Sequence, residues 1–211
     1  MSRSLVLSAW RYRHFVLSSI RSEFVGRFAR SKMGGLWVVI HPLTQVLIYA
    51  LILSAVLAAK LPGIDNRFGY AVYLCAGILG WGLFSEILGR SLTIFIDNGN
   101  LLRKISFPRI TLPLIMLGSA LINHLLLLLA ILLVFSVLGH LPGVALFWLP
   151  ILSLLTAALA LGIGLILGVL NVFVRDVGQV MAIILQMLFW FTPIVYPVTI
   201  VPDALRGWVT L

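Results

Sequence analysis

Long apolar runs separated by short polar breaks dominate the chain. Leu36–Ala59 carries no charge and ends at Lys60-Leu-Pro-Gly63. Phe68–Ser85 is again uncharged, and its helical periodicity continues through Glu86 and Arg90 toward Ile96. Ile110–Leu138 and Val144–Asn171 are separated by Gly139-His-Leu-Pro-Gly143, a turn signal. Each run meets or approaches the ~20 residues that a helix needs to cross a hydrocarbon core. A fifth apolar segment starts near Val180 but meets two prolines within Phe189-Trp-Phe-Thr-Pro-Ile-Val-Tyr-Pro197. A helix stopping before Pro193 spans about 18–20 Å, too short to cross alone. The pattern therefore predicts a helix that nearly crosses, breaks, and continues as short or re-entrant pieces. Broken backbone at that depth persists only against protein or water, which points to a pathway or gate.

The N-terminal segment follows a different pattern. From Leu5 to Arg30 the chain is helix-compatible, with Val6, Trp10, Leu17, Ile20, Phe24 and Phe28 on one stripe. Arg13 interrupts the stripe, while Arg3, Arg11, Arg21, Arg30 and Lys32 lie off it. Such a helix is expected along the membrane surface, with its aromatics dipping into the acyl boundary. Docking on a soluble partner is the competing reading, and both can hold. Arg residues interrupt any apolar core of a signal peptide.

Charge sharpens this reading. Hydrophobic residues make up 62% of the chain, the net charge is +9, and the mean hydropathy is +1.15. From Ile110 to Val174, 65 positions pass without one Asp, Glu, Lys or Arg, which a soluble domain does not sustain. Nucleic acid is excluded as the reason for the positive balance; the cations set topology and meet anionic lipid head groups. With the N-terminus inside, eleven Lys and Arg fall on the cytoplasmic side: seven before Met33, then Arg103, Lys104, Arg109 and Arg175. Lys60, Arg67 and Arg206 fall outside, and Arg90 lies within a span. This asymmetry predicts a cytoplasmic N-terminus and a chain ending on the outer side.

Few residues carry candidate chemistry. Asp97-Asn-Gly-Asn-Leu-Leu-Arg-Lys-Ile-Ser-Phe-Pro-Arg109 combines turn formers, a short amphipathic piece and three cations. By itself it reads as a positively charged loop. Asn171-Val-Phe-Val-Arg-Asp176 closes the fourth span, with Arg175 and Asp176 marking the interface. Glu86 and Arg90 are spaced to pair on one helical face; a structural pair is favoured over a substrate-pathway role. Ala160, Gly164 and Gly168 form a small-residue face suited to close helix packing within the chain rather than dimerisation. The aromatics Trp81, Phe84, Phe189, Trp190, Phe191 and Tyr196 read either as interfacial anchors or as surfaces for sugar rings. Cys75 is alone, and His14, His41, His124 and His140 have no metal-ligand spacing. No phosphate-binding G-x-x-x-x-G-K-[ST] motif, paired carboxylates or nucleophile elbow occurs, so neither nucleotide binding of that kind nor membrane-embedded catalysis is expected.

Taken in order, these short motifs resemble the permease subunits of ABC-2 type exporters, in the branch that exports polysaccharides: O-antigen, capsule and teichoic acid. After the basic amphipathic helix come Ser31-Lys-Met-Gly-Gly-Leu-Trp37 and His41-Pro-Leu43, then Gly77-Ile-Leu-Gly-Trp81. Asn98-Gly-Asn-Leu-Leu-Arg-Lys104 with Phe107-Pro-Arg109 follows, then Asn171-Val-x-x-Arg175-Asp176-Val177 and Phe191-Thr-Pro-Ile-Val-Tyr-Pro197. The resemblance runs over essentially the whole chain. It implies an all-α polytopic protein of a bacterial plasma (inner) membrane, with residues 1–32 as a cytoplasmic interface helix and 33–211 as the transmembrane domain.

It further implies a half-transporter, in which two permease copies form the path and two copies of an ABC ATPase drive it. The permease would need no cofactor; ATP and Mg would bind in the partner. Asn98, Asn100, Arg103, Lys104, Phe107 and Arg109 would couple to the ATPase. Arg27, Arg30 and Lys32 would meet a lipid-linked pyrophosphate of the glycan substrate. Asn171, Arg175 and Asp176 would mark a cytoplasmic helix end. Trp81, Phe84, Phe191, Pro193, Tyr196 and Pro197 would belong to the pathway or gate. Members of the family have six spans, whereas about five are visible here, so the last span is expected to be missing by truncation. A drug or lipid exporter is the alternative within the superfamily. A non-transporting scaffold or enzyme of envelope biosynthesis is the alternative outside it.

Overall fold

The structure is a computed structural model that describes residues 12–28, 32–33, 36–48, 69–104, 108–139 and 143–196. Every regular element among these residues is helical. In chain order they are α1 (Arg13–Phe28), α2 (Leu36–Leu47), α3 (Gly69–Asp97), α4 (Gly99–Lys104), α5 (Thr111–Val137), a 3-10 turn (Val144–Trp148), α6 (Leu149–Phe173) and α7 (Asp176–Phe191). The protein is a polytopic all-α membrane protein. Three of the described helices are long and apolar enough to cross a bilayer: Gly69–Asp97, Thr111–Val137 and Leu146–Phe173.

These spans follow the sequence pattern closely. The helical reading of Phe68 through Arg90 to Ile96 becomes the unbroken α3, and α5 fills the run expected at Ile110–Leu138. Gly139 takes φ +76, a left-handed value that costs glycine little, and its N–H donates to the Ser136 carbonyl to close α5. Leu36–Ala59 is described as far as Ile48, with Pro42 inside α2; residues 49–68 lie outside the described set. The fifth segment starts at Asp176, four residues earlier than its apolar run suggests. An acidic residue suits the positive N-terminal end of a helix, so the polar residues before Val180 join the first turn. The helix ends at Phe191, short of Pro193, and at 16 residues spans about 24 Å, still below the ~30 Å hydrocarbon core.

α3 is the centre of the assembly, packing on α5, α6 and α7. Leu83, Ile87, Leu88 and Leu92 of α3 bury against Leu112, Met116 and Ala120 of α5 and Ala157 and Ala160 of α6. Toward the other end, Ala71 and Cys75 join Val46 of α2 and Ala130, Val134 and Phe135 of α5. α3 and α6 run parallel, because Leu88, Ser91 and Leu92 meet Gly164, Gly168 and Asn171 in ascending order. The buried positions of α6 are Ala157, Ala160, Gly164, Gly168 and Asn171. Small residues every three or four positions let the two backbones approach, and the face is spent on packing within the chain.

Candidate functional site

Polar contacts gather on α3, and each ties a different element to it. In the half of α3 toward Asp97 is an ion cluster. Arg90 Nη2 donates to Glu23 Oε1 of α1 at 2.8 Å, and Arg90 Nη1 reaches Glu86 Oε1 at 3.4 Å. Asn123 Nδ2 of α5 donates to the same Glu86 oxygen at 2.7 Å. Arg90 lies seven residues from Asp97, or about 10 Å along the axis. Close by, Ile20 of α1 is 8% exposed and points its Cδ1 into the notch left by Gly118 of α5. The side of α1 turned to the bundle therefore carries Ile20 and Glu23, while Leu17 of the expected stripe is exposed.

Two cavities flank this cluster. One of about 610 Å³ lies among α1, α2, α3 and α5 and is bordered by Phe24, His41, Gln45, Glu86, Asn123 and His124. Another of about 440 Å³ is bordered by Ser19, Ser22, Glu23, Arg90, Asp97 and Met116. His124 Nε2 also shares a hydrogen bond with Ser153 Oγ of α6 at 2.8 Å.

Asn171 performs a second tie. It is 4% exposed, its Nδ2 donates to the Leu92 carbonyl at 2.9 Å, and its Oδ1 accepts from the Gly178 N–H at 2.9 Å. One amide thus joins α3, α6 and α7. Arg175 and Asp176, beside it in sequence, are exposed in the turn between α6 and α7. Asn98 makes a similar junction, since its Nδ2 donates to the Ile94 carbonyl at 2.8 Å and its own carbonyl accepts from Leu102 at 2.9 Å. It ends α3 and starts α4 at once.

The third tie holds the segment after α7. Tyr70 donates to the Val195 carbonyl at 2.6 Å; Tyr73 donates to the Pro193 carbonyl and, at 3.1 Å, to that of Tyr196. Ile194 is 4% exposed and lies over Gly77, where an added Cβ would come 3.0 Å from Ile194 Cγ2. The chain beyond Phe191 leaves the helix and is pinned to the Gly69 end of α3. Below it, Trp81 contacts Phe84 at 5.8 Å and Phe189 at 5.7 Å between ring centroids. Trp81 sits near the middle of α3.

Residues 15–211 match the ABC-2 type transporter family. The chain belongs to that family. It is 27% identical over 199 residues to the O-antigen export system permease protein RfbA of Myxococcus xanthus, covering 94% of this chain and 74% of that protein. It is 29% identical over 181 residues to a protein of the same name from Klebsiella pneumoniae, covering 84% of this chain and 66% of that one.

Within this ABC-2 transporter chain the expected site residues fall into separate places. Trp81 meets α7 through Phe189 with Phe84 beside it on α3, and Pro193 and Tyr196 lie in the pinned segment after α7, whereas Phe191 is exposed. Arg109 is exposed ahead of α5, and Lys32 is exposed in the turn ahead of α2. Asn100, Arg103 and Lys104 lie on α4 and Arg27 on α1, with their side chains outside the described set; Arg30, Phe107 and Pro197 lie wholly outside it. The sequence reading missed Glu23, Asn123, Tyr70 and Tyr73. Glu23 had a signal: it is an acid three residues after Ile20, on the face that packs. Among the described residues no three His, Cys, Asp or Glu side chains converge as metal ligands.

Proposed function

We propose that this chain is the membrane-spanning permease subunit of an ATP-driven exporter that moves a lipid-linked or anionic polysaccharide from the cytoplasm across a bacterial plasma membrane. The observation that carries this reading is the similarity, over 94% of the chain, to a protein named an O-antigen export permease. Two copies of the chain would form the path, and two ABC ATPase subunits would bind ATP and Mg and drive it. The N-terminus would be cytoplasmic, which puts α4, Asn98, Arg109 and Asn171–Asp176 on the ATPase side. Asn98 supports α4 as a coupling element, since it fuses that short helix to the end of α3. Arg27, Arg30 and Lys32 would meet the pyrophosphate of the carrier lipid at head-group level. The pinned segment from Thr192 would form the outer gate, a role favoured by a helix too short to cross and by its tyrosine ties to α3.

The test is co-purification from membranes of the chain expressed from its full gene together with the ATPase encoded beside it, paired with surface-glycan staining of a deletion strain. A complex with two of each subunit, lost when Arg103→Glu and Lys104→Glu are combined, and a glycan that disappears on deletion, are the expected results. A permease that purifies alone, with surface glycan intact in the deletion strain, refutes the reading.

A further inference from the structure

The contacts between α1 and the bundle are of two kinds. Ile20 against Gly118 is an apolar knob, whereas Glu23 with Arg90 is an ion pair whose side chains are only 28–29% exposed. A half-buried ion pair is a weak source of stability, because desolvation offsets much of its attraction, and an apolar pair of similar volume would hold a helix at least as well. What distinguishes the pair is that it can be broken without stranding a charge. Arg90 has a second carboxylate, Glu86, one turn away on its own helix, and Asn123 holds that carboxylate from α5. If Glu23 withdraws, the guanidinium keeps a counter-charge, so the large penalty of an unpaired buried cation is avoided. The cavities of about 610 and 440 Å³ on either side leave α1 room to shift.

We propose that Arg90 is a positioning residue that couples α1 to the membrane bundle by exchanging its partner between Glu23 and Glu86 as α1 moves in the transport cycle. The proposal rests on the exporter reading for the existence of that cycle. It differs from static anchoring, which would need neither the second carboxylate nor the space.

The test uses the full-gene permease with its ATPase in lipid nanodiscs, with spin labels at Leu17→Cys on α1 and Ile96→Cys on α3 in a Cys75→Ser background. Leu17 and Ile96 are both exposed. The inter-label distance is measured with and without trapped ATP, and glycan export is measured per folded permease. The parent complex is expected to change distance on nucleotide trapping. Arg90→Gln and Glu23→Gln should abolish or broaden that change and cut export about tenfold while ATP hydrolysis persists. Arg90→Lys should retain part of it. Glu86→Gln leaves the Glu23–Arg90 pair in place but removes the second carboxylate, and should also reduce the distance change and cut export severalfold, which a static anchor would not predict. The proposal is overturned by a parent distance that ignores nucleotide. It is equally overturned if the single variants move and export normally per folded molecule, or if Glu86→Gln moves and exports as the parent does. A parent that moves α1 with nucleotide but exports no glycan supports the joint and refutes only the glycan substrate.

Discussion

Replacing Gly168 by Ala places one methyl group where α3 and α6 come closest. The added Cβ would fall on the Ser91 carbonyl oxygen and lie 3.2 Å from the carbonyl carbon. Both atoms are backbone, so no rotamer relieves the contact and the helices must separate. Overpacking of that kind costs about 1–3 kcal/mol. Separation would also lengthen the bond from Asn171 to the Leu92 carbonyl, one turn further on and 2.9 Å at present, adding about 1 kcal/mol. Less the helix-propensity gain of up to about 1 kcal/mol that alanine brings, Gly168→Ala should therefore destabilise the protein by about 1–3 kcal/mol. Gly162→Ala is the matched control: nothing lies within 4 Å of its added Cβ, and alanine improves helix propensity by up to about 1 kcal/mol. Gly118→Ala should fall between them, because the atom it meets is the flexible tip of Ile20. Unfolding of the purified proteins in mild detergent, followed by circular dichroism against added SDS, measures the difference. Equal midpoints for Gly168→Ala and Gly162→Ala would refute the close crossing of α3 and α6.

Asn171→Leu should cost about 2–4 kcal/mol in the same assay, since it leaves the Leu92 carbonyl and the Gly178 N–H without their partner. Asn171→Asp should also destabilise, because it keeps the acceptor for Gly178 but loses the donor to Leu92. Combining Tyr70→Phe with Tyr73→Phe removes the hydroxyls that hold residues 193–196. A cysteine placed at Ile194, in a Cys75→Ser background, should then react with a membrane-impermeant maleimide several times faster than with both tyrosines present; an unchanged rate would refute the pinning. Reversing Arg103 and Lys104 to Glu should release the ATPase while leaving the midpoint of unfolding within about 0.5 kcal/mol of the parent.

The parts of this structure that were legible in the sequence are those encoded by local period. Run lengths gave α3, α5 and α6, the proline at 193 gave the end of α7 at Phe191, and the four-residue spacing gave Glu86 with Arg90. Gly164-x-x-x-Gly168 announced a close crossing but not its partner, because a small face says that a helix approaches and not which one. The long-range ties were hidden for the same reason. Glu23 finds Arg90 across 67 positions and Tyr70 finds the Val195 carbonyl across 125, and each pairing depends on which helices are neighbours. Trp81 shows the limit most clearly. Its type fitted either a membrane face or a pathway, and only the fold shows that its ring meets Phe84 and Phe189.

These ties share one helix, and that constrains how the chain can transmit motion. At 29 residues α3 is about 43 Å long, longer than the hydrocarbon core it crosses. It carries the pinned segment on Tyr70, Tyr73 and Gly77, the aromatic contact with α7 on Trp81, and the α1 joint on Arg90. It then carries the α6–α7 tie at Leu92 and the start of α4 at Asn98. Neither a proline nor a described break interrupts it, so it is one continuous helix, with Gly80, Gly82 and Gly89 beside Ser85 and Ser91 as the places where it can bend. A displacement of α1 or α4 at the Asp97 end would pass to the Thr192–Tyr196 segment as a tilt or rotation of α3 to the extent that the helix stays straight. Substitutions that weaken the ties at either end should uncouple the two ends while leaving the packed centre intact. Under the exporter reading this predicts continued ATP hydrolysis with lost export for both Arg90→Gln and the paired Tyr70→Phe and Tyr73→Phe variant, a shared phenotype that two unconnected sites would have no reason to produce.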